Sequence, residues 1–119
     1  MKISVVTAVF NRAGTIQASI SSVQAQTYLD FEHVIQDGLS NDGTVEIIRK
    51  RAQLNTLFAS ERDGGIYDAI NRGIKRATGD VIGLLHSDDV FAHDRVLDKI
   101  GVAFADPVID GVYGDLQYV

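Results

Sequence analysis

The 119-residue chain contains no cysteine, no tryptophan, one proline and one methionine. Without cysteine there can be neither a disulfide framework nor a thiolate metal site. No apolar run approaches the roughly 18 residues needed to cross a bilayer. The apolar start Ile3-Ser4-Val5-Val6 is broken by Asn11-Arg12, with no small-residue cleavage site behind it. The cytoplasm is therefore the expected compartment, and the inner face of the membrane is compatible with it. Cations are also in short supply. Eleven Lys and Arg against 16 acids give a net charge of −5, which argues against non-specific binding to nucleic acid or to an anionic membrane. Glutamate is scarce within that acidic excess: only Glu32, Glu46 and Glu61 occur, and the other thirteen acids are Asp. The short Asp side chain disfavours helix interiors and suits caps, turns and metal coordination. The acids are thus expected at element ends, where sites are built.

What is present is one domain's worth of chain with 45% hydrophobic residues, enough for one core. Ile3 to Phe10 is a nearly continuous β-branched run, as in a strand covered on both faces. Ile16, Ile20 and Val23 follow at helical spacing. A second strand reads Phe31 to Gln36, and Thr44 is positioned to cap a helix with the stripe Val45, Ile48 and Ala52. Thr56 to Ser60 is a short third strand. Ile66, Ala69, Ile70, Gly73, Ile74 and Ala77 then mark the clearest helix, with Gly79 at its expected C-terminal turn. A fourth strand spans Asp80 to Leu85. A fourth helix carries Val96, Ile100, Ala103 and Phe104, and a fifth strand lies within Val108 to Val119. The alternation predicts a Rossmann-like α/β fold, a mostly parallel sheet with helices on both faces.

Open parallel sheets bind ligands at the carboxyl ends of their strands. The segments there are Asn11-Arg12, Asp37 to Asp42, Arg62-Asp63 and Asp88-Asp89, so five of the thirteen Asp share one rim. Such a cluster is costly unless a cation or hydrogen-bond donors lie between the carboxylates. Asp88-Asp89 follows an apolar strand and precedes a helix. Mg²⁺ or Mn²⁺ commonly binds through one or two carboxylates plus substrate phosphates, and Asp also caps helices well. Spacing leaves the two roles equally open. Asp37-Gly38-Leu39-Ser40-Asn41-Asp42-Gly43-Thr44 is similarly ambiguous: Asp37 could accept hydrogen bonds from a base or ribose, but the turn in isolation reads as a tight β-to-α connection.

Taken together, these segments resemble family 2 glycosyltransferases of the GT-A fold. The Asp37–Thr44 turn matches the family's DGxSxDGT pattern, and Ile3 to Arg12 its first strand and nucleotide loop. Ser22-Val23-x-x-Gln26-Thr27-Tyr28 matches SVxxQTY. Glu61 to Gly73 is similar to the ExDxGIYDAMNKG segment of a bacterial exopolysaccharide or colanic-acid-type subset, as is Tyr113-Gly114-Asp115. His86-Ser87-Asp88-Asp89 falls at the DXD-type metal motif. These motifs are ordered, span nearly the whole chain and are specific in combination.

The resemblance implies that Thr7, Val9, Asn11, Arg12 and Asp37 contact a nucleotide, with Asp37 reading the base edge. Asp63, Asp68 and Asn71 would line the nucleotide or donor-sugar side, and Asp115 would approach the sugar. Asp88 would face the ribose beside the metal, and Asp89 would hold Mn²⁺ or Mg²⁺ on the diphosphate. The implied reaction is inverting transfer from a UDP- or GDP-sugar to a hydroxyl of a sugar or lipid-linked acceptor, in cell-surface polysaccharide synthesis. Family domains are roughly twice this long, with the catalytic Asp base beyond the metal motif. Residues 1–119 are thus expected to be a donor-binding half without the acceptor half, and self-association through a sheet edge is compatible with that. The non-catalytic alternative is a nucleotide-sugar binding or assembly module.

Other features have ordinary readings. His33, His86 and His93 are not spaced as a metal cluster. Arg72, Lys75 and Arg76 read as a solvated helix face, and Arg49-Lys50-Arg51 as charges that complement a helix dipole. Tyr67 either stacks on a sugar or covers the core edge. A phosphoacceptor receiver domain has a similar length and acidic rim, but it needs an acidic pair where this chain has Asn11-Arg12.

Overall fold

The structure is a computed structural model that describes residues 1–104. The expected fifth strand and the Tyr113-Gly114-Asp115 segment lie outside the described residues. The elements are β1 (Ile3–Val9), α1 (Ile16–Gln24), β2 (Phe31–Asp37), α2 (Thr44–Arg51), β3 (Thr56–Ser60), α3 (Ile66–Arg76), β4 (Val81–Leu84) and α4 (Val96–Phe104). The four strands form one all-parallel sheet in the order β3-β2-β1-β4. A receiver domain follows the doubly wound order in which β1 lies between β2 and β3. Here β1 lies between β2 and β4, which excludes that alternative.

Because side chains alternate across a strand, β1 and β2 present two different faces. Ile3, Val5 and Val9 point to the side covered by α1, α2 and α4. Ile3 and Val5 pack with Val23, Val96, Leu97 and Ile100, and Val9 packs with Ile16, Ile20, Ile35 and Ile48. Between these clusters Thr7 Oγ1 meets His33 Nε2 at 2.8 Å. Burial pushes His33 down to about 3, so the ring is neutral. On the opposite face α3 lies close to the sheet. A Cβ on Gly73 would stand 2.7 Å from Val6 Cγ1, so glycine sets that helix-to-sheet distance.

Strand register aligns the rim. Val9 pairs with Asp37, and Asp37 with Ser60, while Leu85 N–H donates to the Val6 carbonyl at 3.0 Å. The loops after all four strands therefore emerge at one end of the sheet. At the opposite end, the foot, Glu32 is 4% exposed. Its Oε2 accepts from Ser4 Oγ and the Thr78 amide, and its Oε1 accepts from Thr78 Oγ1, each at 2.7 Å. Lys2 Nζ lies 3.1 Å from Oε1. Burial alone would raise the Glu32 pKa, but these donors outweigh it and hold the carboxyl at about 2.

Several local expectations change. Gly43, at φ 100°, is the N-cap of α2 in place of Thr44. Asp42 Oδ1 accepts the Thr44 amide at 3.1 Å and its hydroxyl at 2.5 Å. Ala52 lies beyond α2 and is exposed. Gly79 does not turn the end of α3, which closes on Ala77. It is glycine because a Cβ would meet Ser4 Oγ at 2.5 Å and the Lys2 carbonyl at 2.9 Å. Only Lys75 of the expected basic face is exposed. Arg72 and Arg76 are half-buried, and Arg76 Nη2 donates to the Ile35 carbonyl at 2.9 Å.

Candidate functional site

The site is built from the turn after β2. Asp37 is fully buried, and its carboxylate accepts the Ser40 amide at 2.9 Å, Ser40 Oγ at 2.5 Å and Ser60 Oγ at 2.7 Å. It thereby joins the ends of β2 and β3. The rest of the turn fixes the neighbouring loop after β1. Ser40 Oγ accepts the Asn11 amide at 2.8 Å, Thr44 Oγ1 the Arg12 amide at 3.0 Å and Asp42 Oδ2 the Ala13 amide at 3.2 Å. Asn11 Oδ1 in return accepts the Asn41 amide at 2.9 Å. Asn11 and Leu39 adopt left-handed φ values of 51° and 65°, a conformation that costs a side-chain-bearing residue about 1–2 kcal/mol. The reciprocal bonds between the two loops hold them there.

These loops enclose an open cavity of about 660 Å³, within the range of small-ligand sites. Ala8, Val9, Phe10 and Arg12 line it from the β1 side, and Gly38 and Leu39 from β2. Arg62, Asp63, Gly65, Ile66 and Ala69 form the wall between β3 and α3, and Ser87 stands after β4. Phe10 (56%), Leu39 (52%) and Ile66 (52%) are exposed apolar residues at its mouth. Asp63 Oδ1 accepts the Gly65 amide at 2.9 Å, leaving Oδ2 without a partner among the described residues. A Cβ on Gly38 would lie 2.8 Å from that Oδ2, so a side chain there would push the Asp63 carboxylate aside.

The loop after β4 is tied to α1 by Thr15 Oγ1, which donates to the Ser87 carbonyl at 3.1 Å. It carries Asp88, exposed, and Asp89, half-buried. Neither carboxylate has a hydrogen bond or ion pair among the described residues. The described residues also hold no group of three or more His, Asp or Glu able to grip a metal. Two free carboxylates suit a hard cation whose remaining ligands are water and phosphate, and do not suit a closed protein cage. The donor set therefore fits Mn²⁺ or Mg²⁺ held jointly with a bound diphosphate.

The other expected site residues divide clearly. Val9, Arg12 and Asp63 line the cavity, whereas Asn11 and Asp37 brace it from behind. Thr7 is fully buried and bonded to His33, so its side chain does not reach the cavity. Asp68 sits at the start of α3, where its carboxylate accepts the Gly64 amide at 2.8 Å and Arg72 Nε at 3.0 Å. Those contacts, the amide first, hold it below the usual carboxylate range. Asn71 is exposed on α3, outside the lining, and Asp115 lies outside the described residues. Tyr67 is 81% exposed and so does not cover the core edge. Phe10, Leu39 and Ile66 were missed as lining residues. The available signal was Leu39, an apolar residue in an otherwise polar turn. The apolar run in the sequence extends the strand to Phe10, but the β1–β2 ladder ends at Val9.

Comparison with known proteins now places the chain. The family model Glycosyl transferase family 2 matches residues 4–117: the chain belongs to that family. An uncharacterised glycosyltransferase of Mycobacterium tuberculosis is 41% identical over 96 residues, which is 80% of this chain and 37% of the relative. The chain thus spans well under half the length of that curated relative. Among solved structures, S. aureus TarS 1–349 in complex with UDP-GlcNAc superposes with a TM-score of 0.82 at 27% identity, over 89% of this chain and 32% of that one. The mannosyltransferase PcManGT of Pyrobaculum calidifontis, in complex with GDP-Man and Mn²⁺, gives 0.83 at 24% identity, over 90% of this chain and 33% of the other. The fold is that of the GT-A glycosyltransferases.

Proposed function

We propose that this chain forms the donor half of an inverting, metal-assisted glycosyltransferase that moves a sugar from a nucleotide diphosphate to an acceptor hydroxyl. The observation that carries this reading is the rim cavity flanked by carboxylates without a partner among the described residues: Asp63 Oδ2 in its wall, and Asp88 and Asp89 beside Ser87. In a chain of net charge −5, a diphosphate needs a cation beside those acids. A divalent ion held by Asp89 and Asp88 would supply the Lewis acid that stabilises the departing nucleoside diphosphate. Val9 and the apolar mouth of Phe10, Leu39 and Ile66 accept the flat nucleoside, Arg12 lies within reach of its phosphates, and Asp63 offers an acceptor to base or sugar. Asp37, Asn11 and Asp68 serve by holding these groups in place. Thr7 contributes its backbone only, and Asn71 and Asp115 stay assigned to the donor-sugar side.

The general base and the acceptor subsite belong to the longer parent protein, whose substrate is a sugar or lipid-linked acceptor of cell-surface polysaccharide synthesis. By itself this length of chain binds the donor and does not transfer it, which is the second reading. Calorimetric titration of the chain with UDP-GlcNAc and with GDP-Man, each with and without Mn²⁺, tests both. Manganese-dependent binding of either sugar nucleotide is the expected result. Absence of binding to both overturns the proposal, and turnover by this chain alone overturns the second reading.

A further inference from the structure

We infer that Arg72 is a positioning residue whose guanidinium ties together the two ends of the Arg62–Gly65 loop and so sets one wall of the cavity. The inference rests on the nucleotide-sugar reading of that cavity for the ligand used in its test. Arg72 projects from α3 with Nη1 3.1 Å from Glu61 Oε1, just before the loop, and Nε 3.0 Å from Asp68 Oδ2, just after it. Asp68 Oδ2 in turn accepts the Gly64 amide at 2.8 Å. From beneath, fully buried Gln36 donates Nε2 to Glu61 Oε1 at 2.9 Å, and Arg76 Nε donates to Gln36 Oε1 at 3.1 Å. A continuous polar chain therefore runs from Gln36 near the C-terminal end of β2 through Glu61 and Arg72 to the amide of Gly64. The loop it reaches contains two glycines, one of them at φ 114°, and carries Asp63 into the cavity wall.

The energetics distinguish positioning from simple stabilisation. The side chains of Arg72, Glu61 and Asp68 are 38%, 50% and 39% exposed, and pairs this accessible to water contribute little to stability. What a guanidinium adds is geometry. Its planar fork presents two nitrogens at a fixed separation, so it sets the distance between the two carboxylates it bridges. A lysine ammonium has no such fork. Displacing binding groups by about 1 Å can cost up to about a hundredfold in function, far more than the stability at stake.

The test uses the whole chain and compares wild type with Arg72→Gln, Arg72→Lys, Glu61→Gln and, as a control away from the site, Lys50→Gln. Binding of UDP and of GDP with Mn²⁺ is measured by calorimetry, thermal midpoints by circular dichroism and Gly64 amide exchange by NMR. Arg72→Gln is expected to weaken nucleotide binding about tenfold and to speed Gly64 exchange at least fivefold, with a midpoint within about 3 °C of wild type. Glu61→Gln should act in the same direction, and it decides the matter if Arg72→Gln does not fold. Arg72→Lys should recover only part of the affinity. Binding within twofold of wild type at unchanged Gly64 exchange overturns the inference. So does a loss of affinity that Lys50→Gln shares, or one that tracks a falling midpoint. If wild type binds neither nucleotide, the donor-site reading fails. Gly64 exchange then decides the positioning role alone: faster in Arg72→Gln upholds it, and unchanged overturns it.

Discussion

The two ends of the sheet use the same chemistry for opposite purposes. At the foot, Glu32 is buried and every donor around it is aimed at its two oxygens, from Ser4, Thr78 and Lys2. At the rim, among the described residues, Asp63 keeps one oxygen free, and Asp88 and Asp89 keep all of theirs. No buried side-chain nitrogen or oxygen among the described residues lacks a partner, so unsatisfied polar capacity occurs only where solvent or a ligand can reach. Even at the rim there is a division. Asp37, buried, and Asp42, exposed, spend their oxygens on organising loops, and the carboxylates left over lie in or beside the cavity wall. The comparison teaches that a carboxylate's partners, more than its place on the rim, mark it as structural or ligand-directed.

The largest expected effect lies at the foot. Glu32→Ala strands the Ser4 and Thr78 donors and removes the ion-pair partner of Lys2, and should cost about 3 kcal/mol of stability. Chemical denaturation should show this while nucleotide affinity, measured well below the melting midpoint, stays within about twofold. An equal loss of affinity would break the separation of the two ends. Next is the converse at the rim. Asp89→Asn should reduce Mn²⁺-dependent nucleotide binding about 10- to 100-fold and leave the melting midpoint essentially unchanged, because that carboxylate supports no other group among the described residues.

How much of this was legible beforehand follows the same division. Element order, the parallel sheet and the location of the rim were readable because β-branched runs and the Ile66–Ala77 stripe have distinct periods. The turn from Asp37 to Thr44 stood out through its Gly, Ser and Asp. Its inward use did not, because no local pattern tells whether Ser40 and Thr44 hydroxyls face their own turn or the amides of Asn11 and Arg12, about 30 residues earlier. Gly79 has the local signature of a helix end, and its actual reason is the start of β1 lying against it, a long-range fact. Arg72 and Arg76 looked solvated because helical spacing does not reveal Gln36 beneath them.

Mild acid, down to pH 5, has a smaller effect, about 2 kcal/mol. His33 is held neutral to about pH 3 in the folded state, whereas the unfolded chain takes up that proton near pH 6.5. The unfolded state therefore binds more protons below pH 6.5, and stability should fall by about 1.4 kcal/mol per pH unit down to the folded-state value. Below about 4.5 Glu32 adds to the loss in the same direction, since its folded carboxyl stays ionised to about 2. Urea unfolding between pH 7.5 and 5.0 should show the decline; a flat profile would mean that His33 is not buried as described. The smallest effect returns to the rim. Gly38→Ala places a Cβ 2.8 Å from Asp63 Oδ2, and should weaken nucleotide binding about threefold to tenfold, roughly 1 kcal/mol, with little change in melting.

The most direct measurement of the central claim is an amide NMR titration of the whole chain with UDP and with GDP in the presence of Mg²⁺. Nucleotide binding at the rim predicts saturable shifts at Arg12, Gly38, Leu39, Asp63, Gly65 and Ser87 to Asp89 with at least one of the two, while Glu32, Thr78 and Gly79 at the foot stay still. Shifts centred on the foot, or none with either nucleotide, would contradict the account.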